Sequence, residues 1–114
     1  LKNYKIKTMI KEIDVQKLKN MIDSKKDFIL LDVRNNSEYY LSNIVGSLHI
    51  PMNDIPLKQN EIDNNKEIIV YCKSGKRSAK ICEFLLQNNF NSVKNLKGGI
   101  IAWAETIDPS IIVY

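Results

Sequence analysis

Residues 68–78 of this chain read Ile-Ile-Val-Tyr-Cys-Lys-Ser-Gly-Lys-Arg-Ser, and this stretch decides the fold. Its first four residues are apolar without a break, which is typical of a strand buried on both faces of a parallel sheet. The residues that follow return to the spacing of apolar side chains found in helices, which predicts a helix over 78–88. Cys72 therefore lies at the carboxyl end of a strand, on a short loop that opens a helix.

The segments around this stretch continue the alternation of strands and helices. A second near-continuous apolar run at 28–33 predicts another central strand, and helical spacing predicts a helix at 15–24. Ser37 is expected to cap a short helix through Tyr40. Shorter strands are expected at 12–15, 47–51 and 91–96, and a last short helix at 100–106. Such alternation predicts an α/β fold whose central, mainly parallel sheet has about five strands with helices on both faces.

Length and composition limit the function classes. The 114 residues carry a net charge of +4 and are 44% hydrophobic, which suits one domain with one ordinary core. Basic residues are scattered outside the Cys72 loop and Lys25-Lys26, so we expect no nucleic-acid partner. No apolar run is long enough to cross a membrane. We assign 12–114 to the domain and the basic, irregular 1–11 to a linker or a lead-in left by processing.

The two cysteines, Cys72 and Cys82, invite different interpretations. A lone cysteine is usually a small, buried apolar side chain. Cys82 fits that description, because it shares a helical stripe with Ala79, Leu85 and Leu86. Cys72 does not, because the loop after it is crowded with cations and small residues. We interpret Cys72 as a reactive thiol and Cys82 as inert core. Free thiols imply a reducing compartment, such as the cytoplasm or a plastid stroma.

The Cys72 loop has the features that stabilise a thiolate. Backbone N–H groups at a helix N-terminus converge on one point, with the positive end of the helix dipole behind them. Lys73, Lys76 and Arg77 add positive charge, and the thiolate is the nucleophilic form of cysteine. Gly75 is expected to permit the tight turn. We expect the loop to lie at the protein surface, with room for a second anion beside the sulfur.

Four motifs in order resemble the rhodanese-like sulfurtransferase domains over about 12–114. They are Leu31-Asp32-Val33-Arg34 with Glu38-Tyr39, then Ile44-Val45-Gly46-Ser47 with Ile50-Pro51, the Cys72 loop, and Gly98-Gly99-Ile100 with Trp103. The resemblance implies a rhodanese-like fold and a persulfide mechanism. A donor, thiosulfate or a persulfidated protein, gives its outer sulfur to Cys72, and an acceptor then takes that sulfur. No metal or cofactor is implied besides the covalent cysteine persulfide.

The resemblance also implies the residues of the substrate site. The N–H groups of the loop would bind the outer sulfur or the donor's oxyanion, and Arg77 would contact that anion from the side. For Arg34 two interpretations stay open: a contact at the rim of the anion site, or a structural ion pair with Asp32. The predicted substrate-binding residues are Lys73, Ser74, Gly75, Lys76, Arg77, Ser78 and Arg34.

The C-terminal residues suggest a subfamily. Trp103, then Ile107-Asp108-Pro109-Ser110 and Val113-Tyr114, resemble the end of two-domain adenylyltransferase–sulfurtransferases. These proteins deliver sulfur to the C-terminal glycine of a ubiquitin-like sulfur carrier, in molybdenum cofactor biosynthesis, thiamine synthesis or tRNA thiolation. The chain begins at Leu1 instead of Met, which fits a C-terminal domain cut from such a protein, whose adenylating domain would precede it. The acceptor is expected to be such a carrier or a small thiophile.

Two departures from the family pattern stand out, and two other functions stay open. Ser42-Asn43-Ile44 replaces a common Gly-His-Ile, and Lys73 replaces a common arginine, which removes a bidentate donor. The first alternative is a catalytically silent docking module. The second is a cysteine phosphatase or arsenate reductase, which the six-residue span from Cys72 to Arg77 disfavours because those enzymes use one residue more. His49 lies in an extended segment with no sign that it meets Cys72.

Overall fold

The computed structural model describes residues 10–113, so the predicted lead-in lies largely outside the described residues. The five strands are β1 (Lys11–Ile13), β2 (Ile29–Asp32), β3 (Leu48–His49), β4 (Ile68–Tyr71) and β5 (Val93–Leu96). The α-helices are α1 (Val15–Asp23), α2 (Asn36–Leu41), α3 (Ile55–Lys58), α4 (Lys76–Gln87) and α5 (Gly99–Thr106). Two 3₁₀ turns flank α3, at Met52–Asp54 and Gln59–Glu61.

The strands form one sheet in the order β1-β5-β4-β2-β3, and each of these neighbouring pairs is parallel. The central strand β4 is buried along its whole length, as its apolar sequence predicts. Because the strands are parallel, their carboxyl ends meet at one edge of the sheet, where Cys72 follows β4. The predicted α/β fold with about five strands is confirmed, and the sheet is parallel throughout the described residues.

Helices cover both faces of the sheet, as predicted. Alternate residues of β4 face opposite ways, so Ile68 and Val70 join one apolar cluster and Ile69 and Tyr71 join the other. The first cluster includes residues of α3 and α4, and the second includes residues of α1 and α5. Cys72 continues the alternation and lies in the first cluster. No helix within residues 10–113 is long and apolar enough to cross a membrane.

Three local predictions are corrected. The first strand, expected at 12–15, runs from Lys11, which pairs with Lys94 of β5, to Ile13. Ser37 does not cap α2. Asn35 does, through a capping box in which its side chain accepts from the Glu38 N–H while the Glu38 carboxylate accepts from the Asn35 N–H. Finally, α4 begins at Lys76, two residues before the predicted start.

Candidate active site

The sulfur of Cys72 lies in a cradle of hydrogen-bond donors. The backbone N–H of Gly75 is 3.1 Å from Sγ, the N–H of Ser78 is 3.4 Å away and the Ser78 hydroxyl is 3.3 Å away. Gly75 has φ +108° and stands immediately before α4, so the chain turns sharply there. The first N–H groups of a helix have no partner within the helix, and here some of them point at the sulfur. The predicted convergence of N–H groups is present.

Cys72 is buried, although Ser74 and Lys76 of its loop are exposed, as expected of a surface loop. Its residue is only 1% exposed, and it packs in the same apolar cluster as Cys82. Burial by itself raises the pKa of the Cys72 thiol. Hydrogen bonds from the Ser78 hydroxyl and from the N–H groups of Ser78, Gly75 and Ser74 outweigh it, so the net pKa lies below the ordinary value. The lowering comes from loop donors, and a contribution from Lys73 and Lys76 stays a prediction.

Ser78 and Asn95 form a buried pair beside the sulfur. The Ser78 hydroxyl lies 2.6 Å from Asn95 Oδ1, and Asn95 Nδ2 donates to the Gly75 carbonyl at 3.0 Å. Asn95 is on β5, the neighbour of β4, and both side chains are nearly inaccessible to solvent. Strand β5 therefore supplies a side chain, Asn95, that is hydrogen-bonded to the loop that follows β4.

Arg77 makes its principal contact with Glu38. Two guanidinium nitrogens donate to the two carboxylate oxygens at 2.7 and 2.9 Å, a bidentate ion pair between α4 and α2. This contact lowers the pKa of Glu38 and raises that of Arg77, to which the nearby Cys72 thiolate contributes as well. Arg77 is thus fixed in orientation by Glu38. Its predicted contact with a donor anion stays a prediction.

Arg34 adopts the geometry of the structural alternative. Its guanidinium donates to both oxygens of Asp32, at 2.7 to 3.1 Å, and to the Ser42 carbonyl at 2.7 Å. Arg34 is 2% exposed and Asp32 is fully buried. A buried charge persists only when it is paired, so this ion pair supports the loop between α2 and β3. The geometry favours a structural role for Arg34, and a contact with substrate is not tested.

The remaining predicted site residues lie on the outer side of the loop. Ser74 and Lys76 are exposed, and Lys73 is half-buried. Lys73 lines an open cavity of about 380 Å³ with Ile101 and Glu105 of α5. These residues can meet a donor or a partner, whereas Cys72 and Ser78 are buried.

The start of α5 is bonded to the carbonyl side of the same loop. The N–H groups of Ile100 and Ile101 donate to the carbonyls of Cys72 and Lys73 at 2.9 and 3.2 Å. Gly99 makes this approach possible, because a Cβ at its position would lie 2.4 to 2.6 Å from the backbone of Cys72 and Lys73. Gly99, the first residue of α5, therefore allows this helix to support the cysteine loop.

Two predictions about residues outside the site agree with the geometry. Cys82 is fully buried, and burial raises its pKa to about 12, with a smaller contribution from the Cys72 charge. The ring of His49 stacks on Tyr39 at 4.2 Å, and its Nε2 lies 2.8 Å from the Arg34 carbonyl. His49 is thus satisfied by structural contacts, as expected.

Sequence reasoning did not find three residues of the site in their present roles. The sequence patterns include Glu38 and Gly99 only as parts of the family motifs, and they do not single out Asn95. A polar residue on the inner face of β5 was a usable signal for Asn95, because Val93 and Leu96 on either side mark that strand as buried. The Arg77–Glu38 pair joins residues 39 positions apart, and local patterns contain no signal for it.

Comparison with known proteins identifies the family. The model of the rhodanese-like domain matches residues 14–106. This chain belongs to the rhodanese-like domain family. A sulfurtransferase of Allochromatium vinosum is 38% identical over 96 residues, which cover 84% of this chain and 90% of that protein. A rhodanese-like domain protein from Staphylococcus aureus, solved by crystallography, is 31% identical with a TM-score of 0.80, covering 92% of this chain and 99% of that one.

The predicted similarity to adenylyltransferase–sulfurtransferases is also confirmed. The probable adenylyltransferase/sulfurtransferase MoeZ of Mycobacterium tuberculosis is 30% identical over 104 residues, which cover 90% of this chain but 26% of MoeZ. The family match and the sulfurtransferase relatives together support sulfurtransferase activity for this rhodanese-like domain in general. They leave the donor and the acceptor to be identified.

Proposed function

We propose that this domain is a persulfide-forming sulfurtransferase in which Cys72 is the nucleophile and sulfur carrier. The observation that supports this most is the cradle around Sγ, where the N–H of Gly75, the N–H of Ser78 and the Ser78 hydroxyl all lie within 3.4 Å. These donors stabilise a negative charge on sulfur inside an apolar cluster. A thiolate stabilised by donors and not by a base needs no histidine partner.

The first half-reaction is an attack by the Cys72 thiolate on the outer sulfur of the donor. With thiosulfate, a bond forms between Sγ and that sulfur, the original S–S bond breaks, and sulfite leaves with the electron pair. In the second half-reaction an acceptor nucleophile bonds to the outer sulfur, and the electron pair of the broken S–S bond returns to Sγ. The Cys72 thiolate attacks in the first half-reaction and is released in the second, so the same hydrogen-bond donors stabilise it in both.

The residues on the outer side of the loop are proposed to receive the donor. Lys73 and Lys76 attract an anion, and the remaining N–H groups of Arg77, oriented by Glu38, contact its oxygens. The site is expected to need no metal or cofactor, only the covalent persulfide. Beside it, a cavity of about 250 Å³ is lined by Glu38, Leu41 and Ile112, among others.

The finer assignments follow from the relatives' names and from charge. The proposed acceptor is either a small thiophile such as cyanide or the C-terminus of a ubiquitin-like sulfur-carrier protein, for which an adenylating domain in the full-length chain would supply activation. The relative MoeZ is named for both activities. A net basic domain suits an acidic carrier. We place the activity in a reducing compartment, the cytoplasm or a plastid stroma, where the free thiols persist.

A phosphatase or arsenate reductase is the weaker candidate. A chain from Rhodopseudomonas palustris titled as a possible tyrosine phosphatase has a TM-score of 0.78 but 18% identity, so the likeness concerns the fold alone. The short span from Cys72 to Arg77 and the Arg77–Glu38 pair leave less room for a tetrahedral phosphate. A docking module without catalysis would have no use for a lowered thiol pKa.

The experiment that tests the proposal is a steady-state assay of thiocyanate formation from thiosulfate and cyanide. It is repeated with a persulfide donor and, separately, with p-nitrophenyl phosphate. We expect thiocyanate to form and the phosphate ester to remain intact. Turnover of the ester without thiocyanate would replace the proposal with a phosphatase, and no turnover of any substrate would favour a docking module.

A further inference from the structure

Asn95 is a buried polar residue next to the site that makes no contact with Sγ itself. It is 2% exposed and lies in the interior of β5, between β1 and β4. Burial of an amide in an apolar interior is unfavourable unless its hydrogen bonds are made. Both ends of the Asn95 amide meet the cysteine loop, one at Ser78 and the other at Gly75.

The Ser78 hydroxyl has two acceptors but only one proton. Asn95 Oδ1 lies 2.6 Å from Ser78 Oγ, and Cys72 Sγ lies 3.3 Å from it. A neutral thiol sulfur is a weak acceptor, whereas a thiolate is a strong, charged one. The hydroxyl therefore donates to Asn95 while Cys72 is a thiol or a persulfide, and it turns to the sulfur when the thiolate forms.

The orientation of the Asn95 amide is fixed by its other partners. Nδ2 donates to the Gly75 carbonyl at 3.0 Å and faces Glu12 Oε2 at 3.5 Å. If the amide turned over, Oδ1 would face two oxygen acceptors and both contacts would become repulsive. Oδ1 is thereby kept towards Ser78. The hydrogen bond to the Gly75 carbonyl also holds that residue in place, and its N–H points at Sγ.

We propose that Asn95 is a positioning residue for the Cys72 thiolate, holding the Ser78 hydroxyl and the Gly75 carbonyl so that the loop donors converge on Sγ. Its Oδ1 also accepts the hydrogen bond of the Ser78 hydroxyl while Cys72 is a thiol or a persulfide. When the thiolate forms, the hydroxyl turns to the sulfur, with its proton still bonded to Ser78 Oγ. This inference deepens the proposed function, because it concerns the same thiol, but it does not depend on which sulfur donor is used.

Other charged and titratable groups face this region from each packed element. Arg77 of α4 is close enough for the Cys72 charge to raise its pKa, and Cys82 of α4 stays a neutral thiol. From β1, Glu12 faces Asn95. On β2, the charge of Asp32 is compensated by Arg34. Lys73 and Lys76 flank the loop itself. All of these are retained in the variants below, so a change can be assigned to Asn95 or Ser78.

The test is the rate of alkylation of Cys72 by iodoacetamide across a pH series, read by peptide mass spectrometry. The variants are Asn95→Leu, Asn95→Asp and Ser78→Ala. Asn91→Asp is the matched control, because it makes the same charge change at an exposed position just before β5. Alkylation requires no sulfur donor, so its outcome is independent of whether the protein transfers sulfur.

We expect Ser78→Ala to move the midpoint of the alkylation profile to higher pH, because one donor to Sγ is lost. Asn95→Leu should move it in the same direction, because Gly75 loses the partner that keeps its N–H directed at Sγ, and this loss exceeds the gain from a Ser78 hydroxyl released by Oδ1. The loss of a hydrogen bond to a charged sulfur slows alkylation below the midpoint on the order of tenfold. Asn95→Asp is expected to move the midpoint further. A carboxylate accepts the hydrogen bond of the Ser78 hydroxyl more strongly than an amide does, and it adds negative charge near the sulfur. Asn91→Asp should keep the wild-type profile. In the double variant Ser78→Ala/Asn95→Leu the shift should differ from the sum of the single shifts, because Asn95 acts on the sulfur partly through the Ser78 hydroxyl.

An Asn95 that only supports the fold would behave differently. Folded Asn95→Leu and Asn95→Asp proteins with the wild-type midpoint, or strictly additive shifts in the double variant, would overturn the proposal. If Asn95→Leu does not fold, the nearly isosteric Ser78→Ala still tests the proposal. An unchanged midpoint in that variant would mean that the Ser78 hydroxyl does not stabilise the Cys72 thiolate, and would overturn the proposal. A shifted midpoint in a protein that forms no persulfide would uphold the positioning role and reject sulfur transfer.

Discussion

Cys72 and Cys82 are both almost completely buried and lie in the same apolar cluster, yet their pKa values shift in opposite directions. The pKa of Cys72 falls below the ordinary value of a thiol, whereas burial raises that of Cys82 to about 12. The difference is the set of donors at the sulfur. Cys72 ends a strand and faces the unpaired N–H groups of the next helix, while Cys82 lies inside that helix, where the N–H groups are already bonded.

This comparison shows that burial of a thiol and a lowered thiol pKa are compatible. Desolvation disfavours a thiolate by the same physical effect at both residues, and only hydrogen bonds directed at the sulfur reverse it. The Cys72 thiolate, once formed, also raises the pKa of Cys82. One cysteine therefore helps to keep the other in its neutral form.

The largest effect is expected from substituting each of the two cysteines separately. Cys72→Ser should reduce sulfur transfer by a factor on the order of 10³ or more, because the nucleophile is lost while the loop backbone is kept. Cys82→Ala should retain most of the activity, since its sulfur takes no part. Steady-state thiocyanate formation measures both. Substantial transfer by Cys72→Ser would break the distinction between the two residues.

The pH dependence of alkylation should separate the wild-type cysteines by a similar factor. Because the pKa of Cys72 is lowered, its thiolate fraction at neutral pH is larger than that of an ordinary thiol, and it decreases as the pH falls through that pKa. Because the pKa of Cys82 is about 12, its thiol remains protonated at neutral pH and gains reactivity only in strong alkali. We expect Cys72 to react at least about 10³ times faster at pH 7. In urea, which unfolds the protein, the two thiols should react at similar rates. A difference that persists there would contradict the claim that the fold causes the difference in rate.

A smaller effect, on stability, is expected at Gly99. Gly99→Ala places a Cβ against the backbone of Cys72 and Lys73 at φ +59°, and should cost about 3 kcal/mol or more. Gly46→Ala is the matched control, since Gly46 also has positive φ, +89°, but nothing within 4 Å of the added atom. Only strain of about 1 kcal/mol is expected there. Urea unfolding measures both, and equal losses would mean that α5 does not support the cysteine loop.

The smallest effect is expected at Arg77. Arg77→Ala should raise the KM for thiosulfate on the order of tenfold, because the bidentate guanidinium is lost from the donor side of the loop. Arg77→Lys should recover part of the loss by charge alone. Cys82→Ala serves as the control for a change on the buried face of α4. If Arg77→Ala and Cys82→Ala change the KM equally, Arg77 has no role in donor binding.

The fold and the position of Cys72 were predictable from local patterns. The apolar runs of β2 and β4 mark buried parallel strands, and the stripe that includes Cys82 marks the inner face of α4. The loop between β4 and α4 is short, so Gly75 and the start of α4 had to lie beside Cys72. These strands, the helix and the position of Cys72 were predicted from residues that are neighbours in sequence, and the tertiary contacts leave those predictions unchanged.

The contacts around the thiol were less accessible to sequence reasoning. The partners of Ser78 and Arg77 are Asn95 and Glu38, which come from β5 and α2 and meet the loop only after the sheet has formed. Burial of Cys72 was missed for the same reason, because α5 is bonded to its carbonyl by the Ile100 N–H. Local sequence also does not reveal that Asn35, and not Ser37, caps α2, since both residue types favour that position.

The measurement that tests the central claim most directly is the intact mass of the protein after reaction with thiosulfate or a persulfide donor, before and after cyanide. The account predicts a gain of one sulfur atom, located on the peptide that contains Cys72, and its removal by cyanide. A gain located on Cys82, or no gain from either donor, would contradict the assignment of Cys72 as the sulfur carrier.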